Sequence, residues 1–246
     1  MDLPVYFVSD IHLMLTESEK SRRRQDHFFR FLAKVNETGC TLFIVGDLFD
    51  FYFEYSHTIP KMYFDLYFQI QKLRDANIEV HYILGNHDYW VQNFMTEKLM
   101  TKVYFHDADF EIAGKKFHLT HGDGILSWDR GYRVLKAIIR NRVFISLYRC
   151  LHSTIGYTFA QWISNRGYRN GHSDEYNKRV QTELASYAES YIKQDTDYVI
   201  SGHYHQRVEK EILDGKLLIL GDWIHAPSYG YFDGSQLSLI PFDHDE

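Results

Sequence analysis

The chain has 246 residues, a formal charge of −6 at neutral pH and 17% aromatic residues. That length can bury a full core as one α/β domain, and the acidic balance gives no case for non-specific binding of nucleic acid. Cys40 and Cys150 are too few for a disulfide framework and fit a reducing compartment, while no uncharged apolar run reaches the roughly 18–20 residues of a membrane span.

The first predicted element is a buried strand over residues 5–9 that runs into Asp10-Ile11-His12. It starts within a few residues of the N-terminus, which leaves no room for a signal peptide. Residues 22–35 read as a helix, with Phe28, Phe31, Leu32 and Val35 at three- and four-residue spacing. A second strand, 42–45, leads into Gly46-Asp47-Leu48-Phe49-Asp50, and Met62, Leu66, Ile70 and Leu73 mark the next helix. Residues 80–84 form a strand before Gly85-Asn86-His87-Asp88. A weaker alternation over 116–120 precedes His121-Gly122-Asp123. Asp174 is placed to cap a helix running to about residue 193, with Leu184, Ala188 and Tyr191 inward. Residues 199–201 then lead into Gly202-His203-Tyr204-His205, and strands over 217–220 and 237–240 follow. There are no repeats, low-complexity tracts or linker-like breaks.

Metal-binding side chains thus recur where strands stop, the layout of a site at the carboxyl edge of a sheet. No cysteine is among them, so a thiolate zinc or iron–sulfur site is excluded. Imidazole mixed with carboxylate oxygen suits Mn, Fe, Zn or Ni, and the number of donors exceeds what one tetrahedral ion takes. Two metals are therefore expected. An aspartate such as Asp47 can place one oxygen on each of two ions roughly 3.5–4 Å apart, a pair that clamps a phosphoryl group and activates a water. Asp10/His12 and His203/His205 are each spaced i, i+2, which in extended backbone puts both side chains on one face. Glycines 46, 85, 122 and 202 would let the backbone turn sharply beside the metals.

The irregular stretch lies between His121 and Gly202, where some 75 residues separate two strands. Residues 129–149 carry Arg130, Arg133, Lys136, Arg140, Arg142 and Arg149 against Asp129 alone, together with Val134, Leu135, Ile138, Ile139, Val143, Phe144, Ile145 and Leu147. Residues 155–163 are apolar and aromatic. One reading is a solvated basic face on a helix packed against the core. The other is a helical lid, inserted at about 127–172, that touches an anionic lipid surface and offers an apolar groove to acyl chains.

These motifs in this order (D-x-H, G-D-x-x-D, G-N-H-D, a histidine before Gly122, and G-H-x-H) resemble the calcineurin-like metallophosphoesterase superfamily over residues 8 to 205. Thr120 departs from the pattern by standing where a glycine precedes the histidine. The resemblance implies a four-layer α/β/β/α sandwich, a single domain over 1–246. It also implies that Asp10, His12, Asp47 and His205 bind one metal, and Asp47, Asn86, His121 and His203 the other. His87 would be a non-ligand that stabilises phosphoryl oxygens or protonates the leaving group, with Asp88 orienting it. Asp50 would support the loop or a metal-bound histidine, or simply cap a turn.

Within the superfamily, Gly46-Asp47-Leu48-Phe49, His121-Gly122-Asp123, the helical insertion and Leu220-Gly221-Asp222-Trp223 look like the UDP-2,3-diacylglucosamine diphosphatases of lipid A biosynthesis. That likeness implies cleavage of the pyrophosphate of a UDP-linked diacylated glucosamine lipid to UMP and 2,3-diacylglucosamine 1-phosphate. It further implies two divalent ions, manganese first, and work at the cytoplasmic face of the inner membrane. Asp123 would contact the glucosamine, and Ser164, Arg166 and Arg169 would meet phosphate or sugar. The best-known branch often has arginine where this chain has His87. The alternative substrate is a soluble phosphodiester or nucleotide. His225 is the other histidine to watch as a pocket-lining residue.

Overall fold

The expected strands are short, apolar runs buried on both sides, as strands covered above and below must be. In the computed structural model, which describes residues 1–16, 18–167 and 173–242, all but the last, which lies at an edge, become inner strands of two sheets. The strands are β1 (Val5–Val8), β2 (Thr41–Val45), β3 (Glu79–Ile83), β4 (Lys102–Tyr104), β5 (Ala108–Ile112), β6 (Lys115–Thr120), β7 (Tyr198–Ser201), β8 (Arg207–Ile212), β9 (Gly215–Leu220), β10 (Ser228–Phe232) and β11 (Leu237–Pro241). The helices are α1 (Glu19–Thr38), α2 (Phe64–Asp75), α3 (Arg130–Ile139), α4 (Arg142–Arg149), α5 (Ser153–Gly167) and α6 (Asp174–Ile192). One sheet has the order β11-β10-β1-β2-β3-β4 and the other β5-β6-β7-β9-β8.

Side-chain alternation divides each sheet between two cores. Val5 and Phe7 of β1, Phe43 and Val45 of β2 and Ile83 of β3 meet Phe117, Leu119, Ile200, Leu218 and Leu220 of the second sheet. The opposite face of the first sheet (Tyr6, Val8, Leu42, Ile44, Val80) packs on Phe28, Phe31, Leu32 and Val35 of α1 and Leu66, Ile70 and Leu73 of α2. Behind the second sheet, Val199, Leu217 and Ile219 pack on Val180, Leu184, Ala188 and Ile192 of α6. Helix, sheet, sheet and helix therefore stack in four layers. Because β1, β2 and β3 run parallel, as do β6 and β7, all five motifs emerge from the same kind of edge.

Phe31 sits at the centre of an aromatic cluster, 5.3 Å from Trp223, 5.2 Å from Tyr229 and 5.8 Å from both Tyr6 and Phe242 between ring centroids. Phe31→Ala is expected to cost about 3–5 kcal/mol. Thermal unfolding should show the midpoint falling by roughly 6–20 °C, whereas a change under 2 °C would mean the cluster repacks freely.

Several expectations needed correction in detail. The cap of α6 is Ser173, whose hydroxyl accepts the Tyr176 N–H, and Asp174 is the first helical residue. Ile192 is the fully buried residue of the last turn, while Tyr191 packs partly buried against the same core and stacks on His118. Strands β4, β5 and β8 carry no buried apolar run that would have announced them, and β10, though buried, is broken up by Ser228 and Gly230. The alternation of β8, an edge strand rich in charge, is too polar to read as a strand.

Between β6 and α6 stand α3, α4 and α5. No residue of α3 or α4 is buried. Val134, Leu135, Ile138, Val143 and Leu147 lie exposed on them, as do Ile155, Phe159 and Trp162 on α5. Of the basic residues, Lys136 and Arg140 turn inward and both reach Asp123, while Arg130, Arg133 and Arg142 lie exposed. The reading of a solvated basic face is thereby overturned for Lys136 and Arg140. They also cannot be the ones that meet an anionic surface.

Candidate metal centre

Asp10, His12, Asp47, His203 and His205 all take left-handed backbone, with φ between 48° and 72°. The i, i+2 pairs therefore do not share a face through extended backbone, as expected from spacing. A left-handed kink at each alternate residue turns them toward one point. Such conformations cost about 1–3 kcal/mol each and survive only where the surroundings enforce them. The enforcement is visible: Asp10 N–H donates to Gly46 O (3.2 Å), His12 N–H to Asp47 O (3.0 Å), Trp223 N–H to Asp10 O (3.1 Å) and His203 N–H to Asp10 Oδ2 (2.8 Å).

Of the four glycines expected to permit turning, Gly46 and Gly122 do so, with φ of +84° and +100°. Gly85 and Gly202 are there for space instead. A Cβ on Gly85 would lie 2.1 Å from Asp47 Oδ1, and one on Gly202 2.0 Å from Ser9 Oγ.

Asp10, Asp47 and His121 are each anchored by one atom and present another to a common centre. Asp10 Oδ2 takes the Ser9 hydroxyl (2.7 Å). Its Oδ1 is buried without a hydrogen-bond donor, 3.6 Å from both His12 Nε2 and His205 Nε2. Asp47 Oδ1 accepts the His87 N–H (3.0 Å). Its Oδ2 lies 3.3 Å from His121 Nε2, 3.7 Å from His12 Nε2 and 4.0 Å from His87 Nε2. His121 Nδ1 donates to Val45 O (3.0 Å), and its Nε2 is 3.1 Å from Asn86 Oδ1. Candidate ligand atoms cluster in three groups, each within 4.8 Å: Asp10/His12/His205, His12/Asp47/His87 and Asp47/His121/His203. An orphaned buried carboxylate oxygen facing two imidazoles at these spacings fits bound cations, since a buried charge without a partner is otherwise costly.

Burial opposes charge throughout the cluster, and the neighbours decide the outcome. His121 is held up at about 10 because Asp47 outweighs its burial. His203, buried and facing His121, is pushed down to about 4. Burial and the nearby Asp47 push Asp88 up to about 6.

His87 hangs from the Asp50 carbonyl, to which Nδ1 donates at 2.6 Å. Asp88 was expected to orient it, but its carboxylate instead accepts from the backbone N–H groups of Leu48 and Gly85, both at 2.8 Å, and from the Tyr82 hydroxyl. It ties two loops together. The Asp50 carboxylate reaches within 4.0 Å of His12 Nδ1, on the side away from the cluster. Asp123, expected to meet a sugar, is engaged by Lys136 Nζ (2.8 Å), Arg140 Nη2 (3.0 Å) and the Tyr132 hydroxyl (3.1 Å). Arg169 and the side chains of Ser164 and Arg166 lie outside the described residues.

Asp222, noted in the sequence only within residues 220–223, takes a definite role in the structure. Its Oδ2 lies 3.3 Å from His205 Nδ1 and 3.2 Å from His225 Nδ1, and its Oδ1 accepts the N–H groups of Ile224 and His225. Carboxylate behind imidazole is how proteins orient metal-binding histidines. The signal was present, because Gly221-Asp222 follows the buried strand β9 as Gly46-Asp47 follows β2. His225 is largely exposed and touches Asp222 at the rim.

Fold and cluster together define a metal-dependent phosphohydrolase. The calcineurin-like phosphoesterase family model matches residues 3–207, and the chain belongs to that family. Within it, the chain is 30% identical over 251 residues to the UDP-2,3-diacylglucosamine hydrolase of Porphyromonas gingivalis, covering 96% of each protein. It is 26% identical to the protein of the same name from Blochmanniella pennsylvanica, covering 90% of this chain and 88% of the relative. Among solved structures, an archaeal phosphodiesterase is similar at 14% identity and a TM-score of 0.48, covering 97% of this chain and 99% of its own.

Proposed function

We propose that this protein hydrolyses the pyrophosphate of UDP-2,3-diacylglucosamine, giving UMP and 2,3-diacylglucosamine 1-phosphate. The observation that carries this reading is the two-sided insertion beside the metal cluster. Tyr132, Lys136 and Arg140 turn toward Asp123, two residues from His121, while Val134, Leu135, Ile138, Val143 and Leu147 face outward. A substrate with an anionic diphosphate and acyl chains meets both characters at once. The names borne by the relatives support the same substrate. The work would be done at the cytoplasmic face of the inner membrane, with the apolar side of α3–α5 against the lipid. No helix among the described residues is long and apolar enough to cross a membrane.

Asp10, His12, Asp47 and His205 hold one divalent ion in this reading. Asp47, Asn86, His121 and His203 hold the second, and manganese is the first metal to try. Bound ions of this kind supply Lewis acidity to the phosphoryl group and to the attacking water. The side chains of His87 and His205 are 36% and 35% exposed, whereas those of Asp10, Asp47 and His121 are at most 2%. Substrate therefore approaches past the two exposed histidines. Hydrolysis forms one P–O bond to water and breaks the P–O–P bridge, and the leaving phosphate takes the bridging electron pair. His87, whose Nδ1 donates to the Asp50 carbonyl, donates from Nε2 as well only as an imidazolium. Burial works against that form, but Asp47 and Asp50 raise its pKa toward it, and so charged it offers Nε2–H to a non-bridging oxygen as the charge on that oxygen grows.

His87→Ala is expected to lower kcat by roughly 10²–10³-fold, with metal content by elemental analysis nearly unchanged. A variant that lost its metals outright would make His87 a ligand, as its grouping with His12 and Asp47 allows.

The deciding assay is the manganese-loaded protein in detergent against UDP-2,3-diacylglucosamine, with the non-acylated UDP-sugar and a chromogenic phosphodiester as controls. UMP released rapidly from the acylated substrate alone is the expected result. Cleavage of the simple diester with the lipid untouched would overturn the substrate and leave the metal centre standing.

A further inference from the structure

The loop carrying Asn86 and His87 is gripped from outside by a single side chain of the insertion. Arg140, which closes α3, donates Nη2 to the Gly85 carbonyl at 3.3 Å and to Asp123 Oδ2 at 3.0 Å. Its guanidinium lies 4.3 Å over the ring of Tyr89. It therefore touches residues on both sides of Asn86-His87-Asp88 and bridges to the loop of His121. These contacts engage only Nη2 of a five-donor fork. The Nε–H is buried and meets no acceptor, although the side chain is only 16% exposed.

Charge points the same way. Lys136 Nζ lies 2.8 Å from the same Asp123 oxygen, so two cations share one carboxylate. The inner end of α3 keeps an excess of one positive charge beside the metal cluster. A planar cation with a buried, unanswered donor is suited to an oxyanion that arrives with the substrate.

We infer that Arg140 contacts the phosphoryl group that is not attacked, and so sets a preference for two linked phosphates over one. The inference rests on the diphosphate reading above and adds a residue to it. Tyr89 and the Gly85 carbonyl hold the guanidinium plane in place, and the second phosphate accepts from the free side of the fork.

The test is calorimetric binding of UDP and of UMP to the manganese-loaded protein, with free manganese held constant. The wild type should bind UDP more tightly than UMP. Arg140→Gln should weaken UDP by roughly 10- to 150-fold, the range for hydrogen bonds to a charged group, and UMP by no more than about threefold. Arg140→Lys keeps the charge without the fork and should fall between. A purely structural clamp on the 85–89 loop would instead weaken both nucleotides equally and lower metal content, and that result overturns the inference. So does unchanged UDP binding in both variants, or a wild type that does not distinguish the nucleotides. The two claims separate cleanly. A wild type that cleaves the acylated substrate while Arg140→Gln binds UDP normally removes only the role of Arg140. Selective loss of UDP binding in a protein that leaves the lipid intact removes only the lipid.

Discussion

Replacing Asp47 with alanine is expected to abolish metal-dependent turnover, by roughly 10³-fold or more, since several kcal/mol of charge stabilisation depends on ions it helps to hold. Its Oδ2 lies within 4.0 Å of His12, His87 and His121 alike, and Asp47 belongs to two of the three ligand groups. Bound metal should fall from two ions per chain to one or none. The loops of Asp10 and Asp47 should hold to each other, because the backbone bonds from Asp10 to Gly46 and from His12 to Asp47 do not involve the lost carboxylate, while the loop of His87 loses the acceptor of its N–H. Elemental analysis and manganese-dependent phosphodiester cleavage check the two halves separately. Substantial manganese-dependent activity in this variant would sink the whole assignment of the centre.

The second large effect is expected at a residue with no side chain. In Gly85→Ala the new Cβ would stand 2.1 Å from Asp47 Oδ1 and 2.6 Å from Asp47 N. The first atom could rotate away, but the second is backbone, so the loop of Asp47 must move. A displacement of about 1 Å at a reacting centre costs on the order of 10²-fold in rate, and overpacking a filled site costs about 1–3 kcal/mol. The variant should therefore lose activity and metal together and melt several degrees lower. Gly39→Ala is the control. Nothing lies within 4 Å of its Cβ, and its φ is +59°, so about 1–2 kcal/mol of stability should go with turnover untouched. Equal activity losses in both variants would show that general destabilisation, rather than Asp47, is being measured.

The insertion shows where reading along the chain stops being informative. Residues 130–147 alternate basic and apolar side chains, and the helical period separates them onto two faces. Nothing local says which face turns inward. In an isolated helix the apolar side would be expected inside. Here Asp123, brought close by β6, recruits Lys136, Arg140 and Tyr132, and the apolar side is left out. The recruiting carboxylate belongs to another element, so its effect cannot be read from the periodicity of α3.

Asp222 and Asp88 make the same point within the centre. Both follow buried strands and both are chemically suited to support a histidine. Asp222 does so, reaching His205 across 17 residues of chain, whereas Asp88 turns back to bind the N–H groups of Leu48 and Gly85. Which carboxylate meets which imidazole is set by how two sheets face each other.

What the chain itself determined was local: apolar runs of strand length, the helical spacing of α1, α2 and α6, and aspartate, asparagine or histidine wherever a parallel strand ends. Those features follow from side-chain chemistry and from periods of 2.0 and 3.6 residues, which any short window contains. The tertiary structure decided the left-handed turns at Asp10, His12, Asp47, His203 and His205, the return of β10 and β11 to the first sheet, and the inward turn of Lys136 and Arg140. Each depends on burial and hydrogen bonds supplied by residues distant in sequence, which outweigh the local preference of the backbone.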